Sequence, residues 1–483
     1  MPDASKRGVV AAGHPLTAQA GADVLGAGGN AVDAAIAAML TSFSAEPLLT
    51  GLGAGGYMLV ADAAGERTIL DFSVEASGRG ADPDRREELV PIDVSFGDAI
   101  QVFNIGPASV GCYGTPAGIW EASRRYGSLP LHELVAPAAR MARDGVPLNA
   151  EQAYVIEILQ GIVTAEPECA AVYAPGGKLL RKGDPIRQPE LADTLERLGR
   201  EGPRPFYRGD IAEAVAGWLA ERGGLMTAED LDAYRVVNRR PLVQPYRGRE
   251  VLLNPPPSAG GTLIAFALEL LARDPPGPPS VERLVEVMEA AQAQRTPEFL
   301  ASLGERPAPG STTHISVLDA DSRACSVTAS NGEGAGIIVP GTGIHLNNML
   351  GEQDLNPLGF HQHPPGRRLP SMMAPTAVLR DGAPELVLGS GGSNRIRSAI
   401  LQTVVNVVDR GMDVERAVCA PRAHFEDGVV YVEPGLDVAS LEAAGRTLAR
   451  FRDLNLFFGG VHAVTAQPRA GFGDPRRGGA AAG

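Results

Sequence analysis

The side chains here that could do covalent or metal chemistry are a few histidines, isolated serines and cysteines, and one threonine pair. Of the eight histidines only His361 and His363 lie close together, in a Pro-rich stretch with no Cys or carboxylate at ligand spacing. A loop is expected there, and no metal site. A serine elbow needs Gly-x-Ser-x-Gly. The nearest match, Pro107-Ala108-Ser109-Val110-Gly111, has Pro where the first Gly is required. Cys112, Cys169, Cys325 and Cys419 form no Cys-x-x-Cys pair and read as buried or half-buried thiols, not as a disulfide framework. Leu52-Gly53-Ala54-Gly55-Gly56 precedes an apolar strand instead of following one and lacks the phosphate-loop Lys, so its glycines read as places of close backbone approach. The informative segment is Ser311-Thr312-Thr313-His314-Ile315-Ser316-Val317. A threonine hydroxyl becomes a nucleophile when a base takes its proton, and a chain-terminal α-amine, with an ordinary pKa of ~7.7, is such a base. Thr312 is internal, so the chain would first have to break before it. By themselves, two β-branched residues also simply open an edge strand.

The elements that would position this segment follow from hydrophobic period and turn chemistry. Gly8 to Ala12 is a short apolar strand. Pro15 to about Ser42 has helical spacing interrupted at Gly28-Gly29, and the glycine-rich turn then enters a strand through Val60. Residues 113–235 read as mainly helical, with helices expected at 130–144, 150–159, 188–201, 210–222 and 227–234. Residues 241–254 read as paired strands. A helix is expected over 262–271, a Pro-rich linker over 274–279, a helix over 280–302 and a polar loop over 305–310. From Ser311 the texture changes. A strand over 313–318, a turn at 319–322 and a returning strand over 323–330 are followed by strands at 385–389 and 428–432 and helices at 394–408 and 414–419. That order suits a layered α/β/β/α sandwich.

Composition narrows the function classes. The chain has 483 residues, 44% hydrophobic and 21% charged, which is ordinary for a globular enzyme-sized protein. The 59 Gly and 39 Pro are spread without a period, against collagen-like or low-complexity readings. A net charge of −14, an isoelectric point near 5.2 and 5% aromatic residues argue against a nucleic-acid partner. No apolar region follows Lys6-Arg7, and no window approaches 18 apolar residues, so a cytoplasmic location with no membrane span is expected.

Several motifs in order then resemble the γ-glutamyltranspeptidase (glutathione hydrolase) family of N-terminal-nucleophile hydrolases, across nearly the whole chain. They are Gly29-Asn30-Ala31-Val32-Asp33-Ala34-Ala35, Gly53-Ala54-Gly55-Gly56-Tyr57-Met58, Gly114-Thr115-Pro116-Ala117-Gly118 and Asn254-Pro255-Pro256-Pro257-Ser258-Ala259-Gly260-Gly261. Further on stand Thr312-Thr313-His314, Leu346-Asn347-Asn348-Met349, Leu369-Pro370-Ser371-Met372, Gly389-Ser390-Gly391-Gly392-Ser393 and Asp474-Pro475-Arg476-Arg477-Gly478-Gly479. The resemblance implies an α+β, four-layer αββα sandwich. It implies self-cleavage between Ser311 and Thr312 into a large fragment, 1–311, and a small fragment, 312–483, that together form one intertwined catalytic unit. Such a heterodimer of the chain's own fragments could assemble further.

The resemblance also implies the site. Thr312 attacks an acyl carbon with its new α-amine as base, Thr313 follows in the catalytic motif, and the acyl-enzyme is released to water or an amine. Gly391, Gly392 and Ser393 match the family's oxyanion donors within a one-residue slide. Ser330 or Thr328 is the second hydroxyl beside the nucleophile. Asn331 and Glu352 fall at substrate-binding positions, Glu352 facing the substrate ammonium. Ser73 stands where the family commonly has an Arg that grips the substrate α-carboxylate, and Pro370-Ser371 replaces a Ser-Ser pair. Arg79, Arg367 and Arg395 are the candidate replacement cations. The implied activity is hydrolysis or transfer at γ-glutamyl amide bonds of small molecules such as glutathione. The alternative is the same machinery on a different acyl group, as in a cephalosporin-acylase-like or antibiotic-biosynthesis enzyme. No metal or organic cofactor is required by this chemistry.

Overall fold

The computed structural model describes residues 8–82, 84, 86–95, 100–295, 312–353, 355–356 and 359–483. The polar loop expected at 305–310 and Ser311 lie outside the described residues, and the helix expected over 280–302 is shorter, running Val281–Ala293 with Gln294 as its C-cap. Thirteen of the described strands build two large sheets. In chain order they are β1 (Gly8–Ala12), β2 (Gly55–Ala61), β3 (Arg67–Phe72), β4 (Val237–Arg239), β5 (Leu242–Tyr246), β6 (Arg249–Leu253), β7 (Thr313–Asp319), β8 (Ala324–Ser330), β9 (Thr376–Arg380), β10 (Ala383–Gly391), β11 (Gly460–Ala466), β12 (Arg469–Gly473) and β13 (Ala480–Ala482). The first sheet runs β13-β1-β7-β8-β2-β3-β4 and the second β12-β11-β10-β9-β6-β5. Every adjacent pair in both is antiparallel. Both sheets combine strands from before and after residue 311, and in the first sheet β1 lies between β13 and β7.

The period-2 alternation of side chains assigns the layers. In the first sheet Val10, Ala12, Met58, Val60, Leu70, Ile315, Val317, Cys325 and Val327 face a helical layer that includes Ala31–Ala45 and Thr115–Tyr126. Val9, Ala11, Tyr57, Leu59, Ile69 and Leu318, on the opposite face, pack on Leu252, Ala377, Leu379, Val387 and Val464 of the second sheet. The outer face of that sheet, through Val251, Val378, Leu386, Leu388, Val461 and Ala463, meets the helices Ala259–Ala272, Val281–Ala293, Arg395–Val408 and Val414–Cys419. The result is the four-layer αββα sandwich. Each fully buried aliphatic side chain in these interfaces contributes about 1.5–3 kcal/mol.

Local sequence explains the helix that backs the site. Asn30 caps Ala31–Ala45 by accepting from Val32 and Asp33 N–H, while Asp33 answers the Asn30 N–H, a reciprocal capping box. All fifteen residues of this helix are buried, as its nearly continuous apolar run demands. Asp319, the last residue of β7, accepts from Ala31 N–H at 3.0 Å and so ties the helix start to the first sheet. The glycines before β2 serve close approach. A Cβ on Gly53 would lie 2.3 Å from the His345 carbonyl oxygen, and one on Gly56 2.3 Å from that of Thr328. The four cysteines are free thiols, three buried and Cys419 half-buried. His361 and His363 each bond a backbone carbonyl, of Ala108 and Leu355, both at 2.8 Å. Among the described residues no metal-binding cluster occurs.

Candidate active site

The two sheets meet at Thr312. It stands one residue before β7, and the β7–β8 register, with Thr313 opposite Ala329, carries Thr312 alongside Ser330 at the end of β8. At the same place β10 of the other sheet ends in Gly391, whose Cα is so close that a Cβ there would lie 2.2 Å from the Thr312 carbonyl oxygen. Thr312 is 3% exposed. It lines a narrow cleft with Ser73, Ser330, Glu352, Ser371 and Ser393, walled by Val74, Met349, Leu355, Leu369, Pro370, Met372, Met373 and Ile396. Six positions singled out from the sequence thus converge from six segments of the chain.

After β10 the chain turns through Gly392 at φ +114° and Ser393 at φ +57° into the helix Arg395–Val408. Successive residues at positive φ followed by a helix start make a concave run of N–H groups suited to an anion. Gly392 is required on steric grounds as well, since a Cβ would lie 2.6 Å from the Gly459 Cα. Ser330 Oγ accepts from Gly332 N–H at 3.0 Å, and Ser371 Oγ from Met373 N–H at 3.0 Å, so both hydroxyls are oriented by their own loops.

Three expected residues are placed elsewhere. Thr313 points to the opposite side of its strand from Thr312, and its hydroxyl donates to Glu46 Oε2 at 2.6 Å. Asn331 is fully buried and ties loops together, its N–H reaching the Leu49 carbonyl and its Nδ2 the His345 carbonyl, and it does not reach the cleft wall. Thr328 Oγ1 is engaged by His314 Nδ1 at 2.8 Å between the sheets, which leaves Ser330 as the cleft hydroxyl. Burial, with His462 nearby, holds the His314 imidazole far below its ordinary pKa and therefore neutral.

None of the three candidate arginines lines the cleft. Arg79 pairs with Glu75 at 3.5 Å and Asp230 at 3.4 Å. Arg395 donates to the Phe457 carbonyl and lies over the Phe457 ring at 4.5 Å, and Arg367 is exposed. The buried cation behind Ser73 is Arg368, next to Arg367 in the chain. Its guanidinium donates to the Ser73 carbonyl, lies 3.7 Å from both Asp71 and Glu75 and sits over the Tyr234 ring at 4.4 Å. Burial opposes its charge, but Tyr234, Asp71 and Glu75 outweigh that and raise its pKa. The Ser73 hydroxyl donates to Asp71 Oδ1 at 2.7 Å. Glu352 is therefore the only charged side chain among the described residues lining the cleft.

Two groups at the site lay outside the sequence reading. Arg477 Nη1 lies 3.4 Å from the Thr312 carbonyl oxygen and donates to it. Burial and the neighbouring Arg395 lower its pKa to about 10, against the pull of Asp474, Glu46 and Glu333. Glu46 is 1% exposed, and burial raises its pKa while the Thr313 and Thr17 hydroxyls and Arg477 draw it back. Its signal in the sequence is a carboxylate at the C-terminal end of a mostly apolar helix. Arg477 belongs to the Asp474–Gly479 motif.

With this geometry in hand, the comparisons fall into one pattern. The chain matches the family described as Gamma-glutamyltranspeptidase over residues 17–305 and 297–483. It is 32% identical to the glutathione hydrolase proenzyme of Escherichia coli (strain K12), over 98% of this chain and 91% of that protein. It is also 32% identical to the acylase ACY 1 proenzyme of Pseudomonas sp. (strain SE83), over 97% and 91%. The crystal structure of cephalosporin acylase from Bacillus halodurans superposes with a TM-score of 0.84 and 26% identity, over 99% of this chain and 95% of that one.

Proposed function

The chain belongs to the γ-glutamyltranspeptidase family, and on that footing we propose that it is a self-processing amidohydrolase and acyltransferase with Thr312 as nucleophile. The observation that carries the assignment is the convergence of Thr312, Ser330, Glu352, Ser371 and Ser393 on one cleft. In maturation the Thr312 hydroxyl attacks the Ser311 carbonyl carbon, the peptide bond gives way to an ester, and water releases residues 1–311 from 312–483. The new α-amine of Thr312 is then the base. It takes the hydroxyl proton as Oγ1 attacks the donor's acyl carbon, and it returns that proton to the leaving amine as the C–N bond breaks. The oxyanion is stabilised at the Gly391-Gly392-Ser393 turn, a type of contact worth about 3 kcal/mol per donor. The acyl-threonine is released to water or to an acceptor amine, the α-amine again taking the proton. Glu352 attracts the ammonium of a γ-glutamyl donor. The interleaving of strands from both sides of residue 311 supports a product whose two fragments stay joined as a heterodimer.

One observation favours a second reading, in which the same machinery takes another acyl group. No cation occurs among the described lining residues, and a bidentate Arg–carboxylate contact is not replaced by the Ser73 hydroxyl. Turnover of a γ-glutamyl anilide against that of a glutaryl amide separates the two.

The mechanism is tested on a denaturing gel with sequencing of the smaller band. The wild-type protein is expected to give a small chain beginning at Thr312, and Thr312→Ala to stay at 50.3 kDa without turnover. An active protein that remains a single 50.3 kDa band, or a small chain beginning elsewhere, overturns it.

A further inference from the structure

The carboxylate of Glu46 plays no part in the chemistry above, yet it lies one residue from the nucleophile's backbone. It follows the helix Ala31–Ala45, at the end where the helix dipole disfavours negative charge. A carboxylate buried in such a place is costly unless its oxygens are hydrogen-bonded. Here Thr17 Oγ1 donates to Oε1 at 2.8 Å and Thr313 Oγ1 to Oε2 at 2.6 Å. The pocket is made by Gly13, where a Cβ would lie 2.3 Å from Glu46 Oε2 and 3.3 Å from Thr313 Oγ1.

Arg477 faces the same peptide from the other side. Its guanidinium reaches the Thr312 carbonyl at 3.4 Å and shares an electrostatic interaction with Glu46. The Thr312–Thr313 peptide is thus held at its carbonyl by Arg477, at the following side chain by Glu46, and against the Gly391 backbone. A strand end is normally the part of a sheet that frays. A nucleophile whose base is its own α-amine needs both atoms fixed by the backbone, because no second side chain orients the base.

We propose that Glu46 is a positioning residue for the threonine nucleophile, acting through the Thr313 hydroxyl to hold the Thr312 backbone in attack geometry. The proposal rests on Thr312 being the nucleophile. It assigns to Thr313 an anchoring role on the far face of the strand. Glu46 itself does not line the cleft and touches no substrate.

The test is a double-mutant cycle on the self-cleaved enzyme with a γ-glutamyl anilide, using Glu46→Gln, Thr313→Val, both together, and Thr313→Ser. Thr313→Val removes the hydroxyl at nearly constant volume. It is expected to lower kcat by about 10- to 100-fold, the scale of a sub-ångström to ångström misplacement, with KM little changed. Glu46→Gln lowers kcat alone, but in the T313V background it causes no further loss, because the link it served is already cut. Thr313→Ser keeps the hydroxyl and restores kcat. If E46Q remains uncleaved, the same cycle is run on the rate of self-cleavage, with T313V and T313S carrying the comparison. An equal loss from E46Q in both backgrounds, a loss confined to KM, or T313S behaving like T313V overturns the proposal. Turnover by Thr312→Ala would instead overturn the threonine mechanism, leaving the two failures distinguishable.

Discussion

Gly391→Ala isolates the contact between the sheets at Thr312, the proposed nucleophile. Gly391 ends β10 opposite Gly460 in an ordinary extended backbone, so an alanine there has no conformational penalty to meet. The cost is steric alone. Its Cβ would lie 2.2 Å from the Thr312 carbonyl oxygen and 3.1 Å from the carbonyl carbon, and both are backbone atoms that no rotamer change can move away. Reaching ordinary contact requires Thr312 and β10 to part by about 1 Å, an overpacking worth about 1–3 kcal/mol of stability. The same displacement at the attacking atom costs about 100-fold in rate. Measured by γ-glutamyl anilide turnover and by the rate of self-cleavage, Gly391→Ala should therefore lose about two decades in kcat while losing only modest stability. Gly217→Ala is the control. Gly217 lies in the helix Asp210–Glu221 with no heavy atom within 4 Å of a new Cβ, so alanine there should add about 0.5–1 kcal/mol and leave activity unchanged. Gly391→Ala with at least half of wild-type activity would show that the Thr312 carbonyl is not pressed on Gly391 in the working enzyme.

Glu46→Gln should stabilise the fold increasingly as pH rises. Burial lifts the folded pKa of Glu46 above its ordinary 4.5, so the wild type is most stable below that value and loses stability as pH climbs through the folded pKa, with Arg477 the charged group facing it. Gln does not titrate, so the gap in Tm should widen from about pH 4.5 upward, and a gap constant from about pH 4 to about pH 8 would contradict this. Ser73→Arg places a cation in a cleft wall that has none, and should raise kcat/KM for γ-glutamyl donors over analogues lacking the α-carboxylate by roughly 10- to 100-fold. An unchanged ratio of the two would count against an α-carboxylate site beside Ser73. Arg368→Met removes the buried guanidinium beside Asp71 and Glu75, which keep Arg239 at 2.7 Å and Arg79 at 3.5 Å, and should cost about 1–3 kcal/mol by denaturant unfolding. A loss below about 1 kcal/mol would mean that Arg79 and Arg239 suffice.

The elements with strong local signals were legible in the chain itself. The expected hairpin at 313–330 forms as β7 and β8, the break at Gly28-Gly29 separates Pro15–Gly26 from Ala31–Ala45, and Asp413 caps the short helix Val414–Cys419. That Thr312, Ser330, Glu352, Ser371, Ser393 and Ser73 belong together was implied by the resemblance of motifs in family order, and the structure brings all six to one cleft. Strands β9, β11, β12 and β13 had no comparable signal. Runs such as Thr376–Arg380 and Ala480–Ala482 are short, and their partners lie far along the chain.

Tertiary structure alone decided the contacts that support the site. Alternation along β7 puts Thr312 and Thr313 on opposite faces, but only the packing of Ala31–Ala45 against the first sheet brings Glu46 to the Thr313 hydroxyl. The case of Arg367 and Arg368 is sharper. They are adjacent and identical in type, in a loop with no period to orient them, yet Arg367 is exposed while Arg368 is buried behind Ser73 between Asp71, Glu75 and Tyr234. A sequence determines a side chain's chemistry and its spacing along an element. Which of two equal cations turns inward is set by carboxylates and rings that approach from elsewhere in the chain, because a buried charge is stable only where opposite charge and hydrogen-bond partners already surround it.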